Sequence, residues 1–245
     1  MKVDGILISD SHGAYVDPRV WRLCKRFISR HKPSLRIHLG DWLDYPGLRR
    51  GASDEDPEFT VAQDLSSGAE LMEAYCPTHL LLGNHDWRAL RKARALGARI
   101  DLSGNKFRRT KDVAGTSMEA HGVLAAINTM EKCLRKVPVW DYSVREGVVP
   151  NVVPGWNLLH GYASGISGLR RMVSIFGNLI CGHLHAGERV VFERWPHGEV
   201  GQCCPMLCRH GMEYERAKPR TLAHEQGWLF YYRERGKTIV RAEIV

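Results

Sequence analysis

The chain has 245 residues, with 35 Lys+Arg against 27 Asp+Glu, 12 histidines, 7 cysteines and 44% apolar residues. This is globular composition, long enough for a core that needs no staples, and it excludes a disordered, collagenous or disulfide-scaffold chain. No stretch reaches the ~18 uninterrupted apolar residues of a membrane span, so no membrane partner is expected.

Val3–Ser9 is an apolar run ending in polar residues, as a buried strand would. Asp17–Lys32 reads as a helix, with Asp17 as N-cap, Pro18 at the first helical position, and Val20, Leu23, Cys24, Phe27 and Ile28 on one face. Leu35–Leu39 is a second strand, 61–75 a helix, Thr78–Leu82 a third strand, and Asp86–Leu96 a helix closed by Gly97. Strands alternating with helices predict βαβ units and an α/β sheet. Residues 98–150 break the rhythm with a basic loop, a helical stretch near Met118–Lys136 and Pro- and Val-rich turns. They read as an insertion or cap segment within a single domain of 1–245. Trp156–His160, a helix around Gly168–Phe176 and Leu179–Cys181 resume the alternation, followed by short β-like runs at 188–195, 199–204, 227–233 and 238–245.

In open α/β sheets, ligands sit just beyond the carboxyl ends of the strands. The first strand runs into Asp10-Ser11-His12, the second into Gly40-Asp41-Trp42-Leu43-Asp44, and the third into Gly83-Asn84-His85-Asp86. Later strands run into His160-Gly161 and Gly182-His183-Leu184-His185. Oxygen and imidazole donors without thiolate suit divalent ions of the Mn²⁺, Fe, Zn²⁺, Co²⁺ or Ni²⁺ type, with Mn²⁺ expected here. There are more such groups than one ion needs. Two ions sharing a carboxylate would use them, an arrangement suited to in-line displacement at phosphorus.

In this order, Asp10-x-His12, Gly40-Asp41-x-x-Asp44, Gly83-Asn84-His85-Asp86, His160 and Gly182-His183-x-His185 resemble the calcineurin-like metallophosphoesterase superfamily. The resemblance covers about three quarters of the chain. It implies a β-sandwich flanked by helices (α/β/β/α) with the active site at the C-terminal ends of the strands. It also implies that Asp10, His12 and His185 bind one metal, that Asn84, His160 and His183 bind a second, and that Asp41 bridges them. A hydroxide between the metals would be the nucleophile. His85 would face the substrate, and Asp44 would orient His85. Asp86 reads as a cap of its helix. The remaining histidines, His38 and His224 among them, read as core or surface residues, and the Cys203-Cys204-Pro-Met-Leu-Cys208 cluster as ordinary buried thiols.

The superfamily's protein serine/threonine phosphatases typically read Asp-Arg-Gly after the second motif and Gly-Asn-His-Glu at the third. Here Tyr45-Pro46 follows Asp44, and Asp86 follows His85, which is similar to the phosphodiesterase and nuclease branches. The expected activity is therefore phosphodiester hydrolysis on nucleotides or nucleic acid, with a phosphomonoesterase or a non-catalytic scaffold as alternatives. The formal charge of +8 sharpens this. Arg88–Lys111 holds nine of the basic residues and one acid, Asp101, leaving 26 of each elsewhere. Arg88, Arg91, Lys92 and, in the loop after Asp44, Arg49 are candidate substrate-binding residues. Arg99 falls near the same helical face as Arg88, Arg91 and Lys92. The basic loop Lys106–Lys111, with Phe107 inside it, would suit a nucleic-acid strand. The odd number and irregular spacing of the cysteines fit a reduced, cytoplasmic setting. Nothing in the sequence specifies an oligomeric state.

Overall fold

A computed structural model describes residues 2–46, 59–142, 147–192, 198–212 and 223–245. Strand–helix alternation opens the chain: β1 (Gly5–Ile8), α1 (Pro18–His31), β2 (Leu35–His38), α2 (Val61–Tyr75), β3 (His79–Leu81) and α3 (Asn84–Ala95). A hairpin of β4 (Arg99–Asp101) and β5 (Arg108–Lys111) follows, then α4 (Met118–Leu134) and β6 (Val139–Trp140). The second half holds β7 (Val149–Val153), β8 (Trp156–Leu159), α5 (Gly165–Phe176), β9 (Leu179–Cys181), β10 (Arg189–Phe192), β11 (Glu199–Cys203), β12 (Gly227–Glu234) and β13 (Lys237–Ile244).

The local chemistry explains the boundaries. Asp17 caps α1 by accepting from the Arg19 and Val20 amides, with Pro18 at the first helical position where its missing N–H costs nothing. Thr60 and Gln63 form a reciprocal capping box on α2. Helix α3 begins at Asn84, two residues before the expected Asp86, because the Asp86 carboxylate reaches back to the Gly83 amide. The helix ends at Ala95, so Arg99 lies on a strand and not on the helical face expected for it.

Two sheets face each other. One has the order β13-β12-β1-β2-β3-β6 and the other β10-β11-β9-β8-β7. The pleat of β1 shows the layering: Leu7 enters the core between the sheets with Leu158, Ile180 and Leu229, while Ile6 and Ile8 turn outward against the helical layer of α1–α4. Helix α5 covers the outer face of the second sheet through Leu169, Met172 and Val173. The layers are therefore α/β/β/α, as expected. Within 98–150, α4 packs on α2 and α3, and β6 pairs parallel to β3, so both belong to the first layer pair. The expected basic loop is the hairpin β4–β5. Phe107 is not available at the surface for base stacking, because it is buried with Ile100 in the core beneath the helices. The thiols of Cys181, Cys203, Cys204 and Cys208 are buried, as expected.

Candidate active site

Strands β1, β2 and β3 run parallel to one another in the first sheet, as do β8 and β9 in the second, and the loops after their carboxyl ends meet at one rim. Hydrogen bonds between loops hold that rim together. The Asp10 and His12 amides donate to the Gly40 and Asp41 carbonyls at 3.0 Å, extending the β1–β2 pairing past the strands. The Asp86 carboxylate accepts from the Asp41, Leu43 and Gly83 amides at 2.8, 3.3 and 2.9 Å, tying the second loop to the third. Asp64, on α2, accepts from the amides of Ala14, Asp44 and Tyr45, tying the first loop to the second. Burial pushes its pKa up to about 6.

The candidate ligands occupy this rim. One group comprises Asp10, His12 and His185, another Asp41, His160 and His183, and a third His12, Asp44 and His85, each with its ligand atoms within 4.8 Å of one another. Asp10 Oδ1 stands 3.3 Å from His185 Nε2 and 4.0 Å from His12 Nε2. Asp41 Oδ2 and Asn84 Oδ1 each stand 3.2 Å from His160 Nε2. Ligands held about 2.1 Å from one ion stand roughly 3 to 4 Å apart, so these spacings fit a cation at the centre of each group. Asp10, Asp41 and His12 are nearly or fully buried.

The imidazoles are oriented for such a role. His160 Nδ1 donates to the Leu39 carbonyl at 2.8 Å, and His12 Nδ1 to Asp44 Oδ1 at 3.1 Å, which turns each Nε2 toward the carboxylates. Asp44 also receives His85 Nδ1, on its carboxylate and on its main-chain carbonyl at 3.1 Å each, so one buried residue orients two rings whose centroids are 4.7 Å apart. The Asp41 carboxylate accepts from the His85 amide at the start of α3, where the helix dipole favours negative charge. Ser9 Oγ and the His183 amide donate to Asp10 Oδ2 at 2.5 and 2.9 Å.

Electrostatics follow from these contacts. Burial opposes charge on Asp10, Asp41 and Asp44, but neighbouring imidazoles outweigh it and hold all three below the usual carboxylate range. Burial likewise opposes charge on His160 and His85, but Asp41 leads the interactions that raise both, His160 to about 9. His183 falls to about 4 through burial and the neighbouring His160. His38 falls to about 3 through burial and fits its expected core role: its Nδ1 accepts from the Gly40 amide, so Nε2 donates to Ser11 Oγ.

Backbone strain is concentrated in these loops. Asp10, His12, Asp41, His183 and His185 all have φ between 48° and 68°, the left-handed region that costs an L-residue of order 1 kcal/mol or more. Glycines in these loops lie where nothing larger fits: a Cβ on Gly83 would overlap the Asp41 carboxylate, and one on Gly182 would overlap Ser9 Oγ.

A family model described as calcineurin-like phosphoesterase matches residues 6–187. The chain belongs to that family. Family membership and the Asp/His groups together point to divalent-metal use by this calcineurin-like phosphoesterase. No curated protein matches it in sequence. Among solved structures it is similar to nuclease MPE of Pseudomonas putida, at 14% identity and TM-score 0.37, covering 94% of this chain and 84% of that one. It is also similar to a metallophosphoesterase of Sphaerobacter thermophilus, at 14% identity and TM-score 0.47, covering 99% and 88%. A third is vacuolar protein sorting 29 of Cryptosporidium parvum, at 14% identity and TM-score 0.41, covering 98% and 96%. At these values the likeness concerns the fold alone.

The expected substrate-binding residues of this phosphoesterase are dispersed. Arg88 lies one helical turn beyond Asn84, close enough that its charge counts against protonation of His85. Lys92 is drawn away to Glu119 on α4, and Arg91 is exposed. Arg49 lies outside the described residues. Two further rings border the site. Tyr142, just past the end of β6, stands 5.8 Å from the His160 ring, and His224 stands 4.9 Å from that of His185. No motif marks either residue. Tyr142 is signalled only by its place after a strand, and His224 is brought in by the Glu225 amide, which donates to the His185 carbonyl. Among the described residues, no helix is long and apolar enough to cross a membrane.

Proposed function

We propose that this chain is a dinuclear-metal phosphodiesterase acting on nucleotides or nucleic acid. Asp10, His12 and His185 hold one divalent ion, and Asn84, His160 and His183 a second, with Asp41 shared between them. Mn²⁺ is the ion expected, and the same oxygen and imidazole donors accommodate Fe, Zn²⁺, Co²⁺ or Ni²⁺. Bound there, divalent ions supply Lewis acidity toward a phosphoryl oxygen and lower the pKa of water.

The chain's own residues do the rest. Asp44 locks the His85 tautomer with Nδ1 as donor, leaving Nε2 to hold or deliver a proton at the leaving oxygen. Arg88 brings a guanidinium toward the same end of α3 to hold a phosphate oxygen. Asp86 and Asp64 keep the loops at their spacing, so that positioning is settled before substrate arrives. The diester preference is supported by Tyr45, which stands where a protein phosphatase carries a cation: its side chain is fully buried and puts no positive charge in the cleft.

The observation that carries this reading is the convergence of two buried carboxylate–imidazole groups on adjacent loops, each spaced for an ion. The test is turnover of the Mn²⁺-loaded protein on bis(p-nitrophenyl) phosphate and on p-nitrophenyl phosphate, with Asn84→Ala as control. Diester turnover lost in the variant is the expected result. Efficient monoester turnover with no diester cleavage would make the protein a phosphomonoesterase. Absence of both activities with metal bound would make it a scaffold.

A further inference from the structure

The positive charge of the 88–111 window divides into cations satisfied within the protein and cations turned outward. Lys92 is paired with Glu119. The Arg109 guanidinium is held by Asp112 and Asn128 at 2.8 Å each and by Glu131 at 2.6 Å. Arg94 stacks over Trp87 at 4.7 Å and donates to the Ile100 carbonyl. Arg91, Arg99, Lys106, Arg108 and Lys111 are all exposed.

The hairpin β4–β5 fixes where those outward cations stand. Its inner face is anchored by Ile100, 8% exposed, with Phe107, 7% exposed, buried alongside, and Arg94 ties it to α3. Arg99 and Lys111, both exposed, are cross-strand partners beside a β-bulge, and Arg108 stands opposite Asp101. The Asp101 carboxylate also accepts from the Ser103 amide and hydroxyl. Like charges directly opposite on a two-stranded ribbon destabilise it. Solubility alone gives no reason to hold Arg99 and Lys111 together on an anchored ribbon, whereas a polyanion lying across it relieves their repulsion.

The distance from the Asp/His rim narrows the polyanion. Helix α3 starts at the rim with Asn84 and runs for 12 residues before the hairpin begins, which is ~18 Å at 1.5 Å per residue. A substrate with a single phosphodiester at the rim has no second phosphate to place at the far end of that helix. A polymer with a charge at every unit can occupy both.

We propose that the outer face of the 99–111 hairpin, with Arg91, is a docking surface for the phosphate backbone of a nucleic-acid strand whose scissile bond lies at the rim. The inference rests on the phosphodiesterase reading above and names its substrate class. Because Phe107 is buried, the contacts are to phosphate and carry no base preference.

The test compares Arg99→Gln/Arg108→Gln/Lys111→Gln with a control that removes equal charge from the exposed face of α1, Arg19→Gln/Arg22→Gln/Arg26→Gln. Binding of a 30-nucleotide single-stranded DNA is measured by fluorescence anisotropy over a salt series, with chelator present so that no cleavage occurs. The hairpin variant should bind at least tenfold more weakly at low salt. Its plot of log affinity against log salt should be shallower by about 2, three contacts at ~0.7 each. The α1 variant should match wild type, and turnover of bis(p-nitrophenyl) phosphate with Mn²⁺ should be unchanged in both. Unaltered affinity in the hairpin variant, or equal loss in both variants, overturns the proposal. The two readings fail distinguishably: diester turnover without hairpin-dependent binding overturns only the docking surface, and hairpin-dependent binding without any diester turnover overturns the phosphodiesterase and with it the scissile bond at the rim, leaving the hairpin as a binding surface alone.

Discussion

Asp44→Asn probes the claim that one buried carboxylate orients two site imidazoles. Asp44 Oδ1 accepts from His12 Nδ1 and His85 Nδ1, both at 3.1 Å, and its side chain is fully buried. The amide keeps the shape and one acceptor oxygen but removes the charge. A hydrogen bond to a charged partner contributes about 1.5–3 kcal/mol and a neutral one about 0.5–1.5, so each bond loses ~1 kcal/mol or a little more. Spread over two rings this is ~2–3 kcal/mol, in line with the 10–100-fold penalty typical when a partner that orients a metal ligand is removed. Calorimetric titration with Mn²⁺ should therefore show weakening of 10–100-fold at the proposed site of Asp10, His12 and His185, with the proposed site of Asn84, His160 and His183 little changed. Diester turnover should fall by at least as much, because His85 loses its charged partner and keeps only the main-chain carbonyl of residue 44 as acceptor. Wild-type affinity at both ions together with wild-type turnover would refute the assignment of Asp44 as the residue that positions His12 and His85.

Gly83→Ala should cost about 1–3 kcal/mol and weaken Mn²⁺ binding, since the added methyl displaces the Asp41 carboxylate; a melting curve and a metal titration read the two effects. Phe107→Ala should behave as a core truncation, losing about 3 kcal/mol or more in urea unfolding; a variant of unchanged stability would put the ring at the surface. Asp17→Ala should lose about 1 kcal/mol at pH 7 through the α1 cap. Burial opposes charge on Asp17, but hydrogen bonds led by Gln226 outweigh it and depress its pKa. Its stabilisation is therefore full above the ordinary carboxylate pKa near 3.8 and is lost as pH falls through the lower folded value, so unfolding curves of variant and wild type should converge at acid pH.

The candidate site was legible to the extent that its chemistry sits immediately after strands. A ligand at the first residue past an apolar run, such as Asp10 after Ile8-Ser9 or His160 after Leu159, is visible because burial and strand end coincide in sequence. The helix cap at Asp17 was legible for the same reason, since it acts within three residues; for Asp86 only the bond to the Gly83 amide is local, and its bonds to the Asp41 and Leu43 amides were not legible. What could not be read were bonds closed over long separations. Asp64 looks like a first-turn acid of its helix, but its carboxylate holds amides 19 to 50 residues earlier. The double role of Asp44 depends on the first loop folding back across 32 residues. Phe107 lies between Lys106 and Arg108, and its local context gives no hint that a hairpin turns it inward.

The central claim is that two divalent ions share Asp41. The most direct measurement is a crystal structure of the Mn²⁺-soaked protein with anomalous scattering from manganese. The account predicts two peaks roughly 3.5–4 Å apart, one among Asp10, His12 and His185, the other among Asn84, His160 and His183, both in contact with the Asp41 carboxylate. A single peak, or two peaks that leave Asp41 without contact to one of them, would contradict it.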